Sequence, residues 1–176
     1  MSIPQTNPPL PGHGKPDTRD ALRLVAWEVT RKCNLNCVHC RAGSDRGPYP
    51  GELDTQKCVD ILAQIRSVGQ PIVILTGGEP LMREDLFDLA REGTAMGLRM
   101  VMATNGTLLT PGLVKQTKAS GIKRVSISLD GAHRDSHDQF RKVPGAFQKS
   151  LAGIHRLRDG GVEFQMFRIK HRGDIG

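Results

Sequence analysis

Aromatic residues are scarce: the 176 residues include one Trp, one Tyr and five Phe. Single-stranded nucleic acid is held on aromatic stacking platforms, and a chain this poor in them is not built for that task. Long hydrophobic runs are missing too. The longest wholly apolar run near the candidate core is Pro71–Leu75. It has strand length and falls far short of the roughly 20 residues a membrane span needs. The N-terminus has no apolar stretch of about 7–15 residues, so no secretory signal is expected and the cytoplasm is the expected compartment. Cysteine is limited to Cys33, Cys37, Cys40 and Cys58, with none later in the chain.

What is present is basic and sized for one core. Lys and Arg total 25 against 18 Asp and Glu, a formal charge of +7. Such a balance suits acidic substrates or solubility as well as nucleic acid, and the few aromatics make nucleic acid the unlikely partner. The length predicts a single domain. Residues 1–21 carry Pro4, Pro8, Pro9, Pro11 and Pro16, which predicts an extended lead-in without helix or ladder hydrogen bonds. Residues 22–166 form the expected core, and 167–176 a basic tail.

Periodicity organises that core. Leu24–Val29 reads as a strand. Thr55–Val68 places Cys58, Ile61, Leu62, Ile65 and Val68 three or four residues apart, on one helical face. Asp54 or Thr55 can cap that helix and Gly69 can end it. Pro71–Leu75 predicts a parallel strand buried on both faces. Helices are then expected over Asp85–Met96, Leu113–Ala119 (behind the Thr110-Pro111 start signal) and Ala146–Arg158. Strands are expected over Arg99–Ala103, Arg124–Leu129 and Val162–Met166. Five strands alternating with four helices predict an α/β fold with a parallel sheet. Right-handed crossovers put all strand C-termini on one edge. The cysteine loop, Gly77-Gly78, Asn105 and Asp130 all follow strand ends, so they converge on the rim where such folds place ligands.

Cys33-x3-Cys37-x2-Cys40 concentrates three thiols in one loop. In a cytosolic chain such a cluster points to metal rather than disulfides. Thiolates are soft ligands that suit zinc or an iron–sulfur cluster. Three thiolates on a four-iron cluster leave one iron open for a non-protein ligand. The rival is zinc held by the three Cys and His39, but His39 adjoins Cys40 and no second ligand knuckle exists. Three free thiols are a further alternative. Cys58 lies on the apolar helical face and reads as a core residue.

Four motifs in order carry a resemblance. They are the three-cysteine loop, Gly77-Gly78-Glu79-Pro80, Thr104-Asn105-Gly106 and Ser126-Ile127-Ser128-Leu129-Asp130-Gly131. Over about Leu22 to Met166 the chain resembles the radical S-adenosylmethionine (SAM) enzymes. The resemblance implies a partial (β/α) barrel in which Cys33, Cys37 and Cys40 hold a [4Fe–4S] cluster. SAM would chelate the fourth iron, and reductive cleavage would yield a 5′-deoxyadenosyl radical that abstracts hydrogen from a substrate. It further implies that Gly77, Gly78 and Glu79 hold the SAM amino group, with Pro80 fixing the turn exit. Ser128, Asp130 and Asn105 would lie near the ribose, and Arg141 would meet the SAM carboxylate. His39 stands where the family usually has an aromatic residue. A one-electron reductant such as flavodoxin or ferredoxin is implied as partner.

Each of these residues also has a structural reading. Gly77-Gly78, Asn105-Gly106 and Asp130-Gly131 are turn pairs, Glu79 suits a helix start, and Arg141 could be a surface charge. Leu22–Thr30 running into the cysteines is similar to radical SAM proteins that mature modified haems, and to relatives that modify peptides and carry a SPASM-type extension. A haem precursor or a peptide is thus the implied substrate. The family core has a sixth strand, whereas five are counted here, so the barrel is expected to be incomplete. A non-catalytic iron–sulfur protein for electron transfer or sensing, an inactive fragment, and a zinc-binding module are the alternative functions.

Overall fold

The computed structural model describes residues 22–38, 40–131 and 133–167. The expected lead-in, His39 and the tail beyond Phe167 lie outside them. Five strands make one sheet in chain order: β1 (Leu24–Thr30), β2 (Ile72–Gly77), β3 (Arg99–Thr104), β4 (Val125–Ser128) and β5 (Phe164–Phe167). Every neighbouring pair is parallel. Among the described residues the sheet is not closed, so β1 and β5 are its two edges. Among the described residues, no helix is long and apolar enough to cross a membrane.

The helices are α1 (Thr55–Ser67), α2 (Leu86–Ala95), α3 (Pro111–Ala119), α4 (Arg134–Arg141) and α5 (Ala146–Asp159), with a 3-10 turn over Pro80–Met82. Two start signals work as their chemistry requires. Asp54 accepts from the Lys57 amide at 2.8 Å, and Thr110 accepts from the Leu113 amide at 3.2 Å, each satisfying an amide the helix leaves unpaired. Asp85 does not cap α2, because Arg83 takes its carboxylate.

Side chains alternate across a strand. The register therefore brings Val73, Leu75, Met100, Met102, Val125 and Ile127 into one core, all fully buried. Leu62 of α1, Leu86 of α2, Val114 of α3 and Leu157 of α5 pack into the same cluster. The other face corrects the expectation that β2 is buried on both sides. Ile72, Ile74 and Thr76 are only half-buried, because helices cover one face of this unclosed sheet and the other lines an open concavity.

The eight-residue helix α4 was not among the four helices expected. Its two buried positions are His137 and Arg141, one turn apart. A helix whose buried face is polar shows no apolar period to read. The β5 strand begins two residues later than expected, with Val162 buried ahead of it.

Arg83 fastens the sheet to the chain beyond the cysteine loop. Its guanidinium donates to the carbonyls of Val29 at 2.7 Å and Leu53 at 3.0 Å, and pairs with Asp85 at 2.6 Å. Its side chain is 8% exposed. Removing it strands two carbonyls and takes from Asp85 its cation, leaving the Thr55 hydroxyl on that carboxylate, and breaking a buried pair from one side costs about 3–5 kcal/mol. Arg83→Ala is expected to destabilise the fold by about 3 kcal/mol, measured by denaturant unfolding.

Candidate functional site

A cavity of about 270 Å³ opens at the C-terminal rim of the sheet. Its walls include Cys33, Cys37 and Cys40, then Gly77 and Gly78, then Asn105, Ser128 and Arg141. Four loops far apart in the chain thus meet at one place, as a parallel sheet requires. The concave face supplies Glu28, Thr76 and Ala103 to the same cavity, side chains small or polar enough to leave room. Glu79, Pro80 and Asp130 are buried behind these walls.

The cysteine loop is held by backbone rather than by a core of its own. Leu35 and Cys33 make a small apolar cluster with Ala146 of α5. The Asn36 and Val38 amides donate to the carbonyls of Arg141 at 3.3 Å and Phe140 at 3.0 Å, at the C-terminal end of α4. Asn34 joins the loop to the end of β3, donating to Thr107 Oγ1 at 2.8 Å and accepting from Asn105 Nδ2 at 2.9 Å.

All three thiols are free of disulfides. Burial pushes the Cys33 thiol up. Burial acts the same way at Cys40, but the amides of Ser44, Ala42 and Gly43 outweigh it and hold that thiol below its ordinary value. The Ser44 amide stands 3.3 Å from the Cys40 sulfur. Among the described residues, no three Cys, His, Asp or Glu side chains crowd onto one point. A single zinc ion draws its ligands to about 2.3 Å from each sulfur, whereas a cluster takes its thiolates on separate irons. The donor set fits a cluster.

The two glycines at the end of β2 have a reason the sequence did not reveal. Gly77 has φ +139°, and a Cβ there would collide with the Thr30 carbonyl. A Cβ on Gly78 would collide with the carbonyls of Lys32 and Arg31. The stretch leading into the cysteine loop lies directly on this turn. Gly78 N donates to Thr30 O at 2.8 Å and Glu79 N to Lys32 O at 2.7 Å.

Glu79 is fully buried with its carboxylate engaged on both oxygens. Oε1 accepts from Thr104 Oγ1 at 2.6 Å and the Leu81 amide at 3.1 Å, and Oε2 accepts from the Asn105 amide at 2.8 Å. Burial pushes its pKa up, against these hydrogen bonds and the charge of Arg141. It stitches the β2 turn to the end of β3. Pro80 starts the 3-10 turn that follows.

Asn105 lines the cavity with a side chain already in use. Oδ1 accepts from the Thr107 amide at 2.9 Å and from its hydroxyl at 2.7 Å, and Gly106 follows at φ +79°. The turn reading of Asn105-Gly106 is therefore realised in a residue that also faces the cavity. Arg141 is no surface charge: it is 7% exposed. It pairs with Asp130 at 2.6 Å, donates to the Ser128 carbonyl at 3.2 Å and approaches the Cys37 sulfur at 3.4 Å. Its Nε has no hydrogen-bond partner. Asp130 is fully buried and does not line the cavity, which leaves Ser128 as the β4 side chain there. Sequence reasoning overlooked Thr104, Asn34 and His137 as parts of this rim. Only the neighbours that folding brings to them reveal their roles.

Residues 27–174 match the radical SAM superfamily. The chain belongs to that superfamily. It is 52% identical over 147 residues to the AdoMet-dependent heme synthase of Methanosarcina barkeri, covering 84% of this chain and 42% of that protein. It is 51% identical over 150 residues to the protein of that name from Oleidesulfovibrio alaskensis, covering 85% and 39%. The chain thus spans about two fifths of the length of these relatives. Streptococcus suis SuiB bound to S-adenosylmethionine has the same fold, with a TM-score of 0.72 and 18% identity over 88% of this chain and 36% of that one. The superfamily uses a [4Fe–4S] cluster and SAM and acts on substrates such as haem precursors or peptides. The partial barrel is the superfamily's architecture.

Two substitutions test the rim. Gly78→Ala is expected to push the cysteine loop off the β2 turn. Iron bound after reconstitution should fall sharply, and stability should drop by the about 1–3 kcal/mol of an overpacked site. Glu79→Gln turns an amide N–H₂ toward groups that donate to the carboxylate. A loss of about 1–3 kcal/mol is expected in thermal unfolding of the cofactor-free chain.

Proposed function

We propose that this chain is the cofactor-binding core of an enzyme that abstracts a hydrogen atom from a haem precursor. Its cysteines Cys33, Cys37 and Cys40 hold the [4Fe–4S] cluster. Bound beside one another, the cluster and SAM supply one-electron reductive cleavage of SAM and hydrogen abstraction from the substrate. The chain's own work is placement. The backbone of Gly77 and Gly78 borders the space for the SAM amino group. Ser128 offers a hydroxyl to the ribose, a matched donor and acceptor. Arg141 keeps an unpartnered, buried Nε, a fitting donor for the SAM carboxylate. Glu79, Pro80, Asn105 and Asp130 hold the backbone and side chains that make those contacts.

The observation that carries this reading is the wall shared by the three free thiols, the glycine turn, Ser128 and Arg141. A structural metal site has no use for such a cavity, and an electron-transfer protein needs no open iron. The haem-precursor substrate is supported by the 52% identity to a heme synthase. It also suits Arg41, whose side chain is 95% exposed on the cavity's edge and lies 4.0 Å from Glu28, where the carboxylates of a tetrapyrrole would find a cation. A one-electron donor such as flavodoxin or ferredoxin is the reductant this chemistry asks for, and exposed Arg31 and Arg46 beside the cysteine loop suit an acidic carrier.

The test is anaerobic reconstitution with iron and sulfide, reduction, and EPR with and without SAM. A cluster signal that SAM shifts is the expected result. A cluster indifferent to SAM would mean electron transfer or sensing, and bound zinc in its place would sink the assignment. Titration with a propionate-bearing iron porphyrin, followed by its absorbance, addresses the substrate: no spectral change would remove the haem-precursor reading.

A further inference from the structure

The helix that periodicity could not reveal also holds the cysteine loop. α4 presents its last carbonyls to that loop, Phe140 O to the Val38 amide and Arg141 O to the Asn36 amide. These amides flank Cys37. From the same turn, Arg141 Nη1 points a donor at the Cys37 sulfur, 3.4 Å away. One short helix therefore grips the middle cysteine from its backbone and from its side chain.

Arg141 is locked in that pose. Its Nη2 lies 2.6 Å from Asp130 Oδ2 and 3.2 Å from the Ser128 carbonyl. Asp130 is fully buried, and its backbone is held in turn by His137, whose Nδ1 stands 2.7 Å from the Asp130 carbonyl. His137 is fully buried, with its ring edge-on to Phe147 at 5.6 Å between centroids. Burial keeps the imidazole neutral, and the Arg141 charge acts in the same direction. Asp138 ties the other side of α4 to the start of α5, accepting from the Gly145 and Phe147 amides at 2.6 and 2.8 Å. A surface arginine needs none of these partners, and an arginine serving SAM alone needs no contact with a cysteine.

Resting on the radical SAM reading above, we propose that Arg141 sets the reduction potential of the cluster through its N–H···S contact with Cys37, and that Asp130 and His137 are positioning residues that hold it there. The physical reason is direct. Reduction adds negative charge to the cluster, and a cationic donor on a ligating sulfur stabilises the reduced form. Net charge and hydrogen bonds to the sulfurs are the levers by which proteins set such potentials.

The experiment uses the whole chain, reconstituted anaerobically without SAM, with iron content and EPR-monitored redox titration as readouts. Arg141→Gln is expected to retain the cluster and titrate at a more negative potential. A tenfold shift of the reduction equilibrium would appear as about 59 mV for a one-electron couple. Arg141→Lys keeps the charge without the fork and should fall between the two. Asp130→Asn keeps an amide oxygen beside Arg141 but removes the buried charge that offsets it, and should move the potential in the opposite, positive direction. It also keeps the proposal testable if Arg141→Gln fails to load iron. Full iron content with wild-type potentials in Arg141→Gln, or in Asp130→Asn should the first not load, would overturn the proposal while the radical SAM reading stands. Failure of the unaltered chain to form any cluster would overturn both.

Discussion

The amides of Gly78 and Glu79 donate to the carbonyls of Thr30 and Lys32 at 2.8 and 2.7 Å. This crossing of two backbones decides where the cysteines sit. The chain leaves β1 and lies flat on the turn after β2, close enough that neither glycine can carry a side chain. The sulfurs thereby arrive at the rim already occupied by the ends of β2, β3 and β4. Without the crossing, the three-cysteine loop would have one small apolar cluster and a few hydrogen bonds to place it, too little to overcome the entropy of ordering its residues.

Much of the rim's charge serves architecture before chemistry. Glu79 gives both carboxylate oxygens to β3 and the turn. Asp130 gives its carboxylate to Arg141, and His137 gives Nδ1 to the backbone. Buried charges are tolerated when paired or hydrogen-bonded: Glu79 is hydrogen-bonded and Asp130 is ion-paired. The groups left over at the cavity are backbone at Gly77 and Gly78, the Ser128 hydroxyl and the Arg141 guanidinium, a set suited to a zwitterion with a sugar. Behind them, the concave face carries Thr76 and Ala103 rather than bulky residues, so the half-open sheet offers space where a closed core would offer none.

The core strands, four of the five helices, two of them with their start signals, and the one-sided rim of functional loops were legible in the residue order. Apolar residues at helical spacing from Cys58 to Ile65 and the short run Ile72–Leu75 admit few alternatives. Strand–helix alternation then forces parallel strands with their C-termini together. The cysteine spacing named its own chemistry because a thiol cluster in one loop has few other uses. α4 escaped because its buried face is His137 and Arg141, polar residues that periodicity assigns to solvent. The second face of β2 was misjudged for a different reason: an apolar run cannot say whether both sides of a sheet will be covered.

Residue type and spacing thus determined which thiols and glycines the chain places after its strand ends, since these are local properties of the sequence. Which polar side chains face the cavity and which are spent inside the wall was settled by folding alone. Glu79, Asp130 and Arg141 look alike in the sequence, three charged residues near turns. Their partners lie 25 residues away for Glu79 and Thr104, and 104 residues away for Arg141 and Cys37. Contacts of that separation exist only once the sheet has brought its strand ends to one edge.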